Sequence, residues 1–495
     1  MVGFSTFGLP SLEREFYLLN MEKKNGNKTK IVATVGPASN SRDMLRALIC
    51  EGVDVFRLNF SHGAHEQHQK VIDHVRELNQ ELGTSVALLQ DLQGPKIRVN
   101  EVTPGVELVA GEKITITIRE VLGTKELVST SYQQLPADVK TGDTILIDDG
   151  KIELTVQTTT PEEVTCVVKY GGPLKSRKGI NLPFTKVSAP SLTEKDMEDL
   201  LFGLKNKVDW VALSFVRKAS DIDALRKIVN EHNPDTRIVA KIEKPEALEN
   251  LEKVVEATDA VMVARGDLGV EIWMEEVPMV QKKIIEMCNR YSRPVIVATQ
   301  MMESMIENPR PTRAETNDVA NAVIDGADAL MLSAETAAGK YPVEVIRSME
   351  RTICSVEKQA DIYYRFRSVD RNSPIFINDS LILAACKLAQ EVNAKAIVGL
   401  TQSGYTAFKA SSHRPNANIF VFTSNRAILN TLNLVWATKA YYYNKSTTTD
   451  ETIADVEAIL KNEGHLKSGD IFISLTSMPI QEKSRTNMMK LNVVR

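Results

Sequence analysis

Lys241 and Glu243 stand two residues apart at the end of a short apolar run, so in a strand their side chains project on the same face. The next apolar run ends at Arg265 and Asp267. If the two runs are neighbouring strands, the carboxylates of Glu243 and Asp267 converge on one hard divalent cation with oxygen ligands, the preference of Mg²⁺. Another run contributes Arg57. Arg57, Lys241 and the metal would then form a cationic cradle. A phosphoryl group needs such a cradle, because its transfer is catalysed mostly by positioning and charge stabilisation. Nothing in the sequence fits a Ser-His-Asp triad. No Walker A or GxGxxG fingerprint is present either, so any nucleotide is held differently.

These residues belong to a larger set. Apolar runs close on Thr34 and Gly36; on Arg57, Asn59 and Ser61; on Asp91; on Ser214; on Lys241 and Glu243; on Arg265 and Asp267; on Thr299 and Gln300; and on Ser333 and Glu335. Any one of them alone reads as a cap or a surface ion pair. The whole set does not, because buried charge is costly unless paired or bound to a ligand.

The elements that must position this set recur regularly. Eight short runs rich in β-branched residues fall at 30–36, 53–60, 85–92, 210–216, 237–243, 259–266, 294–300 and 328–334. Their nearly continuous apolar character indicates strands buried on both faces, as in a parallel sheet. Between them lie amphipathic segments. Val71, Val75, Leu78 and Leu82 repeat along one helix face. Residues 313–326 follow Pro311-Thr312, turn Val319 and Val323 inward and end at Gly326. Eight strands alternating with helices close most simply into a (β/α)₈ barrel, with chemistry at the C-terminal strand ends; an open doubly wound sheet is the alternative.

The pattern breaks once. Residues 99–180 alternate with period two, are rich in Thr and Val, and carry turn signals at Gly142-Asp143 and Asp149-Gly150. They indicate a small inserted β-barrel domain. The expected organisation is an N-terminal extension over 1–28, the barrel over 29–98 and 181–358, the insertion over 99–180, and a C-terminal α/β domain over 359–495. In that last domain, 379–392 is helical, and 396–400, 419–422 and 471–475 are strands. Residues 1–20 read as an extension or as untranslated, with Met21 as the alternative start.

Composition excludes several classes. The chain has 495 residues, 25% charged, with a formal net charge of −4, so no basic field points to nucleic acid. No stretch approaches the roughly 18–20 apolar residues of a membrane helix, and no signal-peptide pattern is present. The five cysteines form no CxxC pair, which argues against a disulfide framework and for a reducing cytoplasm.

The motifs themselves resemble a known family. Arg57-Leu-Asn-Phe-Ser-His-Gly63, Asp91-Leu-Gln-Gly-Pro-Lys-Ile-Arg98, Lys241-Ile-Glu243, Arg265-Gly-Asp-Leu-Gly269, Ala298-Thr-Gln-Met-Met-Glu-Ser-Met305, Pro311-Thr-Arg-Ala-Glu315 and Ser333-Ala-Glu335 are similar to those of pyruvate kinases, in order and spacing. The resemblance spans about 29–494 and implies that the inserted domain is a lid that closes over the nucleotide. It implies phosphoryl transfer between phosphoenolpyruvate and ADP, giving pyruvate and ATP. It implies that Glu243 and Asp267 hold Mg²⁺ (with Mn²⁺ as an alternative), and that Lys241 neutralises the phosphoryl group and the enolate. Arg57 would hold the phosphate. Backbone N–H groups at Gly266 and Asp267 would receive the carboxylate, and Ser214 would line the substrate site. Thr299 and Ser333 would belong to the hydroxyl and water network that protonates the enolate. Thr34, Pro37, Asn59, His62, Arg98 and Lys195 fall where the family binds nucleotide. Two rival readings are another barrel enzyme acting on phosphoenolpyruvate or pyruvate, and a metabolite-sensing relative without turnover.

Departures from the family pattern carry expectations of their own. Relatives that need potassium hold it near Asn59, Ser61 and Asp91, with a threonine and a glutamate where this chain has Leu92 and Lys96. The Lys96 ammonium would substitute for the ion, as Gln93 and Val99 also suggest, so potassium is not required; the plain alternative is that Lys96 merely pairs with a surface acid. Ala338 replaces a lysine common in relatives, with Lys340 as a substitute. Thr401, Gln402, Ser403, Gly404 and Thr406 form a hydroxyl- and glycine-rich turn between strand and helix, a phosphate nest or a capped turn. It matches the family's effector site. Residues 476–487 lack the pattern of bisphosphate responders, which favours a monophosphate such as AMP or a sugar monophosphate. Arg313 matches a residue near a subunit interface, and the resemblance implies a homotetramer.

Overall fold

All eight apolar runs form strands, in the order β1 Lys30–Val35, β2 Val55–Asn59, β3 Ala87–Asp91, β4 Trp210–Leu213, β5 Arg237–Ile242, β6 Ala260–Ala264, β7 Val295–Ala298 and β8 Ala329–Leu332. In this computed structural model, which describes residues 26–183, 185–188, 190–445, 448–478 and 485–495, they pair in parallel as a closed ring. β1 bonds to both β2 and β8, which rules out the open sheet. The expectations about residues 1–20 and Met21 lie outside the described residues.

Alternation along each strand explains why the runs are apolar throughout. Ile31, Phe56, Leu88 and Val211 pack outward on the helices. Val32, Val55, Leu89, Trp210, Val239, Met262 and Ile296 fill the barrel interior. The helix α1, His65–Leu82, buries Val71, Val75 and Leu78 and stops at Gly83, whose φ of 62° is left-handed. In α2, Arg313–Asp325, Thr312 accepts the N–H of Glu315, Val319 and Val323 are buried, and Gly326 caps the helix at φ 100°.

The insertion leaves after β3 and returns before β4. Its main sheet has six strands, including Lys113–Thr117, Thr144–Ile147, Ile152–Thr159 and Glu163–Tyr170. It curls around its own core of Ile114, Ile116, Ile145, Leu154 and Val156.

The C-terminal sheet has five strands, Ala396–Leu400, Asn418–Thr423, Thr438–Tyr442, Ile471–Thr476 and Met488–Val493. The third and last escape the sequence reading. They are the two edges of the sheet, half-exposed or exposed at most positions, so neither carries an apolar run. This domain seals the barrel floor: Leu434 packs among the interior side chains. Lys30 donates to Thr438 O at 3.0 Å and Asn433 to Ser85 O at 2.7 Å.

Candidate active site

Lys241 is the hub of the barrel mouth. Its Nζ lies 3.1 Å from Asp91 Oδ1 and 3.0 Å from Glu243 Oε1, and donates to Ser214 Oγ at 2.7 Å. Ser214 in turn donates to Leu92 O. Asp91 also takes Arg57 Nε at 2.7 Å, and Arg57 reaches Thr34 Oγ1 at 3.1 Å. Six predicted residues from five strands therefore meet in one buried network. Parallel register puts them there, since Asn59 pairs with Asp91 and Thr34 with Arg57.

The electrostatics follow from burial. Burial works against the Lys241 ammonium, but Asp91 and Glu243 outweigh it and hold its pKa above the ordinary lysine value. Burial likewise opposes the Asp91 carboxylate, yet Lys241 and Arg57 bring it below the usual range. Burial pushes Glu243 up; Lys241 opposes the rise and nearby Asp267 adds to it.

Glu243 therefore calls for more positive charge. Its Oε1 is buried and accepts no hydrogen bond despite the nearby ammonium, while Oε2 takes Phe215 N at 2.7 Å. Among the described residues no group of three or more His, Cys, Asp or Glu is arranged to hold a metal. Two carboxylates, with remaining positions left to water and substrate, are the usual protein share for Mg²⁺.

Asp267 lies in α3, Arg265–Glu271, directly after β6. Its Oδ1 is 3.3 Å from Lys96 Nζ. Lys96 thus meets an acid of the site, while Asp91 has its own cations in Arg57 and Lys241. Gly266 N donates to Thr299 Oγ1 at 2.8 Å. Thr299 and Gln300 have φ of 65° and 54°, left-handed for non-glycine residues. Arg265 braces that turn, donating to Thr299 O at 2.7 Å and pairing with Asp318. Ser333 N donates to the buried Glu335, which also takes Met302 N.

The nucleotide candidates are more scattered. Thr34 joins the network. Asn59 accepts Ser61 N. Lys195 donates to Phe60 O at 2.9 Å and pairs with Asp199. Pro37 and His62 are exposed. Arg98 stands at the base of the inserted domain, bridged to Gly179. Lys340 makes a surface ion pair with Glu307, and Arg313 is exposed at the start of α2. The sequence reading passed over Lys244, Asn181 and Glu271, which form a second buried polar cluster beside the site. Their signal was spacing: Glu271 falls four residues after Asp267, and Lys244 directly follows Glu243.

In the C-terminal domain, Thr401, Gln402, Ser403 and Thr406 line a cavity of about 650 Å³ with Ser424, Lys445 and Arg485. Gly404 adopts φ 79° at the start of the helix Tyr405–Ser412, and its N–H donates to Thr401 Oγ1. Residues 479–484, part of the segment expected to disfavour a bisphosphate, lie outside the described residues.

Comparison with known proteins adds the family. Residues 26–346 match the family "Pyruvate kinase, barrel domain" and 379–492 match "Pyruvate kinase, alpha/beta domain". A pyruvate kinase of Staphylococcus aureus (strain MRSA252) is 43% identical over 474 residues, covering 94% of this chain and 80% of that protein. One from Geobacillus stearothermophilus is 44% identical over 472 residues, with the same shares covered. The crystal structure of a pyruvate kinase from Cryptosporidium parvum superposes with a TM-score of 0.88 at 34% identity, covering both chains fully.

Proposed function

The chain belongs to the pyruvate kinase family, and from that premise we propose how its residues divide the work. The enzyme transfers the phosphoryl group of phosphoenolpyruvate to ADP, giving pyruvate and ATP. One observation carries the assignment of roles: the Lys241 ammonium is buried between Asp91, Glu243 and Ser214, with Arg57 on the same Asp91.

Lys241 is held charged and fixed in place, so it neutralises the moving phosphoryl group and then the enolate oxygen without reorganising. Arg57, anchored on Asp91 and Thr34, presents its remaining N–H groups to the phosphate. Glu243 and Asp267 would hold Mg²⁺, which when bound supplies further charge neutralisation at those oxygens. The N–H groups at Gly266 and Asp267 receive the carboxylate. Thr299 and Ser333 flank the enolate carbon and feed the proton through hydroxyls and water. Thr34, Pro37, Asn59, His62, Arg98 and Lys195 line the nucleotide side.

We place potassium independence with Lys96 and the buried Leu92, and a monophosphate effector (AMP or a sugar monophosphate) at the 401–406 loop, whose cavity offers hydroxyls and the cations Lys445 and Arg485. A homotetramer in the cytoplasm completes the reading. The cytoplasmic part is consistent with all five cysteines being free.

One assay tests the assignment: pyruvate released from phosphoenolpyruvate, with and without ADP and Mg²⁺. Turnover that needs both is expected. Turnover without ADP would point to another phosphoenolpyruvate enzyme, and none at all to a binding-only relative.

A further inference from the structure

The lid is joined to the barrel by two stems, and both touch the same seven-residue helix, α3. On the outgoing stem, Lys96 Nζ lies 3.3 Å from Asp267 Oδ1. On the returning stem, Asn181 Nδ2 donates to Glu271 Oε1 at 3.0 Å. Asp267 and Glu271 are four residues apart, hence on one helix face.

The two contacts are unlike in character. The Lys96–Asp267 pair is partly open, with side chains 30% and 26% exposed. Glu271 is 1% exposed, Asn181 6% and Lys244 9%. Glu271 Oε1 also accepts Lys244 Nζ at 2.7 Å. The walls around this cluster include Ile97, Ile180, Leu182 and Phe215, with room for about one water. A carboxylate so enclosed depends on its partners, and one of the two comes from the lid.

Asn181 is well placed to transmit a hold. It pairs with Leu146 of the lid sheet. Its neighbour Ile180 donates its N–H to Ile97 O at 2.9 Å, which ties the two stems together. On the barrel side, Lys244 is the residue next to Glu243.

We propose that Glu271 is a positioning residue for the phosphoryl transfer: through Asn181 it clasps the lid to α3, and through Lys244 it steadies the backbone beside Glu243. The geometry fixes the clasp itself; its effect on nucleotide binding rests on the reading of the insertion as the lid over the nucleotide. Lid attachment is therefore measured separately from turnover.

The experiment uses the full chain and three variants. Asn181→Ala removes only the lid-side bond. Hydrogen–deuterium exchange in the stem segments 97–99 and 180–182, without nucleotide, should quicken about tenfold. The KM for ADP should rise about fivefold while kcat stays within about twofold, the split expected when uniform binding of the nucleotide is weakened. Asn181→Asp sets two carboxylates face to face and should loosen the stems further. Combining it with Glu271→Gln exchanges acid and amide across the contact, and should bring exchange and the KM for ADP back toward the parent. Unchanged exchange in Asn181→Ala overturns the clasp. Faster exchange with an unmoved KM for ADP, or a combined variant as loose as Asn181→Asp alone, overturns the positioning role. A parent enzyme that makes no pyruvate with ADP would instead defeat the functional reading, leaving the exchange result to stand.

Discussion

Arg414 and Asp328 form a two-point ion pair across the barrel floor, Nη1 to Oδ1 and Nη2 to Oδ2, each at 3.1 Å, with side chains 2% and 4% exposed. Asp328 precedes β8 and also accepts Val295 N. Arg414 further donates to Gly326 O, and its guanidinium lies 4.9 Å from the Trp436 ring. The pair thus fastens the C-terminal domain to the base of the strand that leads to Ser333. Arg414→Leu leaves Asp328 buried without its cation, a loss of about 3–5 kcal/mol. Urea unfolding of the full chain measures it, and an unchanged midpoint would contradict the role given to the pair.

His413, the neighbour of Arg414, gives the fold an acid-sensitive point. It is buried, faces Lys409, Arg367 and Lys387, and accepts Arg367 N on Nδ1. Burial, reinforced by those cations, lowers its pKa from 6.5 to about 3. Above the unfolded value both states are neutral and nothing changes. Below it the unfolded chain takes a proton that the folded chain refuses, so stability falls as pH drops from 6.5 towards 3. His413→Gln does not titrate. Relative to this variant, the parent should lose roughly 2 kcal/mol between pH 7 and pH 5. Unfolding curves for both proteins at the two pH values supply the difference, and parallel losses would refute the assignment.

Residue pattern and fold match wherever burial is two-sided. The barrel strands carry no exposed face, so composition alone marks them, and their ends mark Arg57, Lys241 and Glu243. The edge strands Thr438–Tyr442 and Met488–Val493 leave no such trace. Contacts between distant segments are harder still. The family resemblance sets Lys96 near Asn59, Ser61 and Asp91, and its ammonium meets Asp267, 171 residues away. Asn181 and Glu271 are 90 residues apart, and neither motif hints at the other. Side-chain reach across a fold is set by packing, which a one-dimensional pattern does not encode.

Lys241 should be the most costly single loss at the mouth. Its ammonium lies between the buried carboxylates of Asp91 and Glu243, and charge preorganised in this way stabilises developing charge without reorganisation. Lys241→Met should lower kcat by at least about 10²–10³. Circular dichroism and the urea midpoint would show whether the fold survives. A folded Lys241→Met enzyme with near-normal turnover would remove Lys241 from the chemistry.

Monovalent-cation dependence follows from the charges near Asp91. A bound potassium ion would need oxygen ligands and a place for its +1 charge. Leu92 supplies no side-chain oxygen and is buried. Asp91 already has Arg57 and Lys241 as counter-charges. Lys96 brings a fixed +1 charge to the mouth, 3.3 Å from Asp267, and a fixed charge can serve the electrostatic role of a bound ion. If Lys96 serves in the ion's place as proposed, initial rates in sodium or tetramethylammonium salts at constant ionic strength should stay within about twofold of those in potassium. Many-fold activation by potassium would mean that Lys96 serves only Asp267, and that the ion binds beside Asn59 and Ser61 despite Leu92.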